Sequence, residues 1–230
     1  MAGMVLVAHR AGNNLADLRG ALDARVDLVE ADVHLYRGAL EMRHAKAVGR
    51  HVLWEPWRDV TRRRDVTVPL LAEVLAAAAG DARLMLDLKG PFLGVAPLTA
   101  AALREAAPGA PVAVCSRQWR MLDAFEDQPH IRRIYSAGNQ RELARTRVLV
   151  RRRRVDGLSI RLSLLTPQLV EELHRHTDLV MVWSVDTEEA LAKATSLGVS
   201  GVISKNLPML RRLAERPQDD PATNVRASTT

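Results

Sequence analysis

VLVAHRAG, residues 5–12, is a short apolar run that breaks off at a histidine and an arginine ahead of a glycine. A run apolar at every position, rather than at alternate ones, suits a strand covered on both faces, as in a parallel sheet. Directly behind it, residues 15–24 change to helical spacing. The same change recurs to the end of the chain. It places strands at 4–8, 28–33, 83–88, 111–115, 131–135, 157–160, 179–185 and 201–203, and helices at 15–24, 70–79, 97–106, 118–126, 141–146, 167–176, 187–197 and 208–214.

Two of these helices have readable ends. TPQLVEEL puts Thr166 at an N-cap with Pro167 in the first turn, and the 187–197 helix stops before Gly198. Eight strand–helix units in 230 residues suit a closed (β/α)8 TIM barrel, which takes about 250 residues, better than an open sheet. The expectation is one α/β domain over 1–215. A polar, proline-containing tail over 216–230 is expected to be disordered. One unit is irregular: an extra strand-like ALEMRHA follows the turn YRGA, and a tryptophan-bearing loop, HVLWEPWRDV, comes after it.

Apolar residues form 47% of the chain and charged ones 26%, the balance of a globular domain with a substantial core. No apolar window has the length of a membrane span, and the N-terminal run meets His9 too early for a secretory signal. A single cysteine, Cys115, leaves no internal disulfide and suits a reducing compartment, so the expected location is cytoplasmic. The net charge of +6 owes much to arginine runs at 62–64 and 151–154. Such runs are usually solvated faces, and they also allow peripheral contact with an anionic membrane. With 3% aromatic residues and no recognisable motif, specific nucleic-acid binding is not expected.

The ionisable residues fall at strand ends, where a barrel builds its active site. His9 and Arg10 follow the first strand. Glu30 and Asp32, two apart, share one face of the second, and Asp87 and Lys89 repeat that spacing on the third. His44 closes the extra segment, and Trp183 ends the seventh strand. Taken singly, each has a structural explanation as a hydrogen bonder or ion pair. Taken together, three carboxylates on one rim repel unless a cation sits among them. An all-oxygen cluster selects a hard divalent ion such as Mg2+ or Ca2+. Two histidines can then divide proton removal and donation, with Arg10 and Lys89 meeting a substrate anion, for which phosphate is the usual identity.

AHRAG, LVEADVHLYRGALEMRHA, LDLKG, VWSVD and GVSGVIS resemble, in order and at suitable intervals, the blocks of the glycerophosphodiester phosphodiesterase family, including its sphingomyelinase D-like branch. The resemblance runs from Val5 to about Leu210. It implies a (β/α)8 barrel with a divalent ion on Glu30, Asp32 and Asp87, His9 and His44 as the acid/base pair, Arg10 and Lys89 on the substrate phosphate, and Trp183 as a pocket wall. The implied activity is hydrolysis of a glycerophosphodiester or lysophospholipid-like head group, a small-molecule or lipid-derived phosphodiester. A phospholipase D-like or cyclising lyase action on lipid head groups, and a barrel that binds phosphate ligands without turnover, are the alternatives.

Ala11 stands where the family has glycine, Asn13-Asn14-Leu15 where it has Glu-Asn-Thr, and Ala45 where it has aspartate. Asp87 replaces the commoner glutamate, as in the sphingomyelinase D-like branch, and Ser204-Lys205-Asn206 lacks the usual aspartate. The insertion many members carry after the third strand is missing, which leaves that side of the pocket open. Trp54 and Trp57 either pack their loop against the barrel or form part of a cover able to attract a quaternary ammonium group.

Overall fold

The computed structural model describes residues 3–55, 60–78, 81 and 83–215. In chain order the strands are β1 (Val5–Ala8), β2 (Leu28–Tyr36), β3 (Ala39–Met42), β4 (Lys46–Val48), β5 (Val52–Trp54), β6 (Thr61–Arg62), β7 (Leu84–Leu88), β8 (Ala113–Ser116), β9 (Arg132–Ala137), β10 (Gly157–Arg161), β11 (Val180–Trp183) and β12 (Gly201–Ser204). Eight of them, in the order β1-β12-β11-β10-β9-β8-β7-β2, pair in parallel, and β2 returns to β1 through Val7↔Leu28 and Ala8↔Val29. The sheet is a closed TIM barrel. The expected tail at 216–230 lies outside the described residues.

Strand pleat divides the apolar residues into two sets. Val7, Leu28, Met85, Ala113, Cys115, Ile134, Met181 and Ile203 fill the barrel interior. Their neighbours in sequence, such as Leu6, Val29, Leu84, Leu86 and Val202, point outwards into the layer under the helices. Continuous apolar runs are what this double burial demands.

That outer layer is formed by α1 (Leu15–Asp23), α2 (Leu71–Ala78), α3 (Val95–Ala106), α4 (Gln140–Arg152), α5 (Pro167–His174), α6 (Glu188–Ser196) and α7 (Leu207–Ala214). Thr166 caps α5 through the Leu169 N–H, and Gly198 after α6 takes φ +74°, as its sequence position suggested.

Three segments differ from expectation. Residues Trp119–Phe125 form a 3-10 helix rather than an α-helix. The helix expected at 141–146 continues to Arg152, because Leu143, Thr146 and Val150 extend its buried stripe. The loop after the extra strand is an antiparallel sheet, β4-β5-β6, joined to the barrel through the β2–β3 hairpin. Arg63, just beyond β6, pairs with the buried Glu41 of β3, and the Tyr36 hydroxyl donates to Gly49 O at 3.1 Å.

The first βα connection is tight enough to test. A Cβ at Gly12 would lie 2.5 Å from Ala31 Cβ and 3.3 Å from Glu30 O. Gly12→Ala is expected to destabilise the fold by about 1–3 kcal/mol, seen as a lower midpoint in urea unfolding at unchanged m-value.

Candidate active site

The pleat that packs the barrel also arms its mouth. On most strands the last interior apolar residue is followed, two positions on, by a polar or aromatic one: Val7 by His9, Met85 by Asp87, Ile134 by Ser136, Met181 by Trp183 and Ile203 by Lys205. On β2 the same face reads Leu28, Glu30, Asp32. These ends line a cavity of about 260 Å³ that includes His9, Arg10, Glu30, His44, Asp87, Lys89 and Trp183. Asp32, 1% exposed, lies behind that lining. Every residue expected in the site is therefore at this one mouth.

Glu30, Asp32 and Asp87 each offer an oxygen within 4.8 Å of the others. The β2–β7 register sets Asp32 directly beside Asp87. Lys89 Nζ lies 3.0 Å from Asp32 Oδ1 and also pairs with Asp87, while Asp87 Oδ1 is buried with no hydrogen-bond partner.

Burial, then the Asp32 charge, push the Glu30 carboxyl well above the ordinary range, and burial also raises Asp87. Asp32 feels burial too, but Lys89, His44 and the Asn13 amide outweigh it and bring its pKa down to about 2. Burial would weaken the proton's hold on Lys89, yet the three carboxylates keep its pKa raised. One ammonium among three acids leaves the cluster short of positive charge. That shortfall and the all-oxygen donor set fit a hard divalent cation.

Arg10 adopts a left-handed backbone, φ 60° and ψ 11°, uncommon for a non-glycine residue. Its N–H donates to Glu30 Oε2 at 2.6 Å, and its guanidinium lies 3.8 Å from Asp32. Ala11 opens the 3-10 turn Ala11–Asn13 that follows Arg10. The asparagines after it are engaged. Asn13 Nδ2 donates to Asp32 Oδ2 at 2.8 Å and its Oδ1 accepts the Asp32 N–H at 2.7 Å, while Asn14 caps α1.

The two expected imidazoles sit in different fields. Burial, then Arg10, lower the His9 pKa to about 4, against an opposing pull from Asp32. His44 is also lowered by burial, with Asp32 and Glu55 acting the other way. Glu55 is the residue that sequence reasoning missed. One of its oxygens, Oε1, lies 2.9 Å from His44 Nδ1 and 3.0 Å from Arg10 Nη1. It arrives at the end of β5, inside a segment read as a loop, so no strand-end rule pointed to it. Arg117 and Lys205 also line the cavity, and counting two beyond Cys115 and Ile203 finds them. Arg117 is held by Glu142 at 2.7 Å.

Trp54 is 39% exposed with Lys46 Nζ 5.6 Å from its ring centre, so it does not pack its segment onto the barrel. Trp57 lies outside the described residues.

A phosphodiesterase from Oleispira antarctica, solved with the product sn-glycerol-3-phosphate, superposes with a TM-score of 0.70 at 20% identity, over 92% of this chain and 96% of that one. Glycerophosphodiester phosphodiesterases from Thermotoga maritima and Parabacteroides distasonis both give 0.71, at 17% and 18% identity, over 93% of this chain and 99% and 98% of theirs. The chain shares the fold of these phosphodiesterases. No protein-family model matches it, and no curated protein matches it in sequence. Among the described residues no helix is long and apolar enough to cross a membrane.

The Asn13 clamp on Asp32 yields a direct test. Asn13→Ala leaves a buried N–H and a buried carboxylate each short of a partner, at a cost of about 1–3 kcal/mol. Denaturant unfolding measures it, and Asn13→Asp, which restores only the acceptor, should not recover the loss.

Proposed function

We propose that the protein is a metal-dependent phosphodiesterase of the glycerophosphodiester phosphodiesterase kind, acting on a glycerophosphodiester or a lysophospholipid-like head group. The observation that carries this reading is the meeting, at one cavity, of a three-carboxylate cluster, two imidazoles and four cationic side chains. The shared fold with phosphodiesterases supports it.

Glu30, Asp32 and Asp87 would hold Mg2+ or Ca2+, which when bound supplies positive charge against the phosphate oxygens. Arg10 and Lys89 would bind and orient the phosphate by charge-assisted hydrogen bonds. His9, kept neutral at pH 7 by burial and by Arg10, suits the base that takes a proton from the attacking hydroxyl. His44 would be the acid that protonates the leaving alcohol; burial disfavours its charged form, and Glu55 Oε1, 2.9 Å away, acts against that burial. Trp183 would wall the alcohol side. The attacking hydroxyl belongs either to water, giving a monoester, or to the substrate, giving a cyclic phosphate. The Oleispira antarctica complex makes sn-glycerol-3-phosphate the first product to seek.

A screen of glycerophosphodiesters and lysophospholipids with each divalent ion, read by phosphorus NMR, identifies substrate, ion and product together. His9→Ala and His44→Ala are each expected to lower turnover by about 10²–10⁴ with melting unchanged. Tight phosphodiester binding with no turnover under any ion would replace this reading with a binding protein. Calorimetric Mg2+ or Ca2+ affinity should weaken as pH falls, because protons compete for the three carboxylates, and Asp87→Asn should abolish the binding.

A further inference from the structure

We infer that the outer face of β4-β5-β6, together with the loop after β7, docks onto an anionic lipid bilayer. In this small sheet the register Lys46↔Trp54, Ala47↔Leu53 and Val48↔Val52, with Val52↔Arg62 and Leu53↔Thr61, separates the side chains into two faces. Ala47, Leu53 and Thr61 share the inner one, and Leu53 is buried. The outer face carries Lys46, Val48, Trp54 and Arg62, all exposed, with Val52 between them. Val48 is 54% exposed. Interleaved cations, aliphatics and a tryptophan make the surface that a charged membrane interface accepts.

The first arginine run is partly answered by acids, since Arg63 pairs with Glu41 and Arg64 lies 3.6 Å from Asp65. Among the described residues, Lys46, Arg50 and Arg62 meet no carboxylate. By contrast, Arg151 and Arg147 share Glu172, Arg154 meets Asp178, and Arg153 donates to the Tyr135 hydroxyl. Within the second run, Arg151 and Arg154 are thus the two that meet acids among the described residues. Beside the outer face, a hollow lined by His51, Val52, Arg62, Arg63 and Arg64 offers room for a phosphate head group.

A second apolar patch follows β7, the strand that pairs with β2. Phe92 is 70% exposed and Leu93 48%, and both lie between β7 and α3, on the loop that leaves the barrel at its catalytic mouth. That loop packs against the end of β2, since a Cβ at Gly94 would lie 3.6 Å from Leu35. An aromatic and a leucine at one barrel mouth, beside a cationic sheet that also delivers Glu55 to Arg10 and His44, place a lipid surface next to the cavity. The lipid-borne phosphodiester this implies as substrate rests on the phosphodiesterase reading; the docking does not.

The experiment is cosedimentation of the full chain with vesicles of phosphatidylcholine alone and of phosphatidylcholine mixed with phosphatidylglycerol. Binding is expected to the mixed vesicles only and to weaken as salt is raised. Lys46→Glu with Arg62→Glu should lower the partition at least tenfold, and Phe92→Ser with Leu93→Ser should lower it while leaving hydrolysis of water-soluble glycerophosphodiesters unchanged. His9→Ala should still bind, so loss of catalysis and loss of docking read out separately. Equal binding to both vesicle types, no binding to either, indifference to the charge reversal, or self-association without lipid would each overturn the inference.

Discussion

Three carboxylates held within 4.8 Å of one another and shielded from water are the costliest arrangement in the molecule. Several neighbouring features offset that cost. Lys89 stands between Asp32 and Asp87, Asn13 satisfies both the carboxylate and the N–H of Asp32, and the left-handed turn at Arg10 sends a backbone N–H to Glu30. Each compensating group comes from the connection after β1 or the end of β7, the two strands that flank β2. The closed sheet is what makes those flanks fixed, because β2 pairs on one side with β1 and on the other with β7.

Most of this was legible from the chain alone, for a definite reason. A strand buried on both faces must be apolar throughout, so where an ionisable residue interrupts one, it marks the strand's wet end. Glu30, Asp32, Asp87 and His9 were found in that way, and the two-residue pleat put them on the same side. The (β/α)8 architecture followed from repetition of the same pattern, and the solved phosphodiesterases share that fold.

What escaped notice depended on distance or on short elements. β4, β5 and β6 are three, three and two residues long, too brief to display alternation among tryptophans and arginines, so their segment read as a loop. Glu55 is 45 residues from Arg10 in sequence, and nothing local announces the contact. The arginines at the end of α4 hid its last turns by looking like a solvated charge run. Asn13 stands where the resembled block has glutamate, yet it clamps Asp32 on both sides: its value lies in contacts, which a residue-by-residue comparison does not display.

Glu55 has a consequence for how the molecule ages under heat. The barrel's strands protect one another around a closed ring, whereas the small sheet has three short strands and is held to the hairpin mainly through Arg63, Glu41 and Tyr36. Units of such unequal cooperativity open at different free energies. If the small sheet frays, Glu55 leaves Arg10 and His44 while the ring of strands stays shut. The array at the mouth therefore depends on a smaller cooperative unit than the fold beneath it.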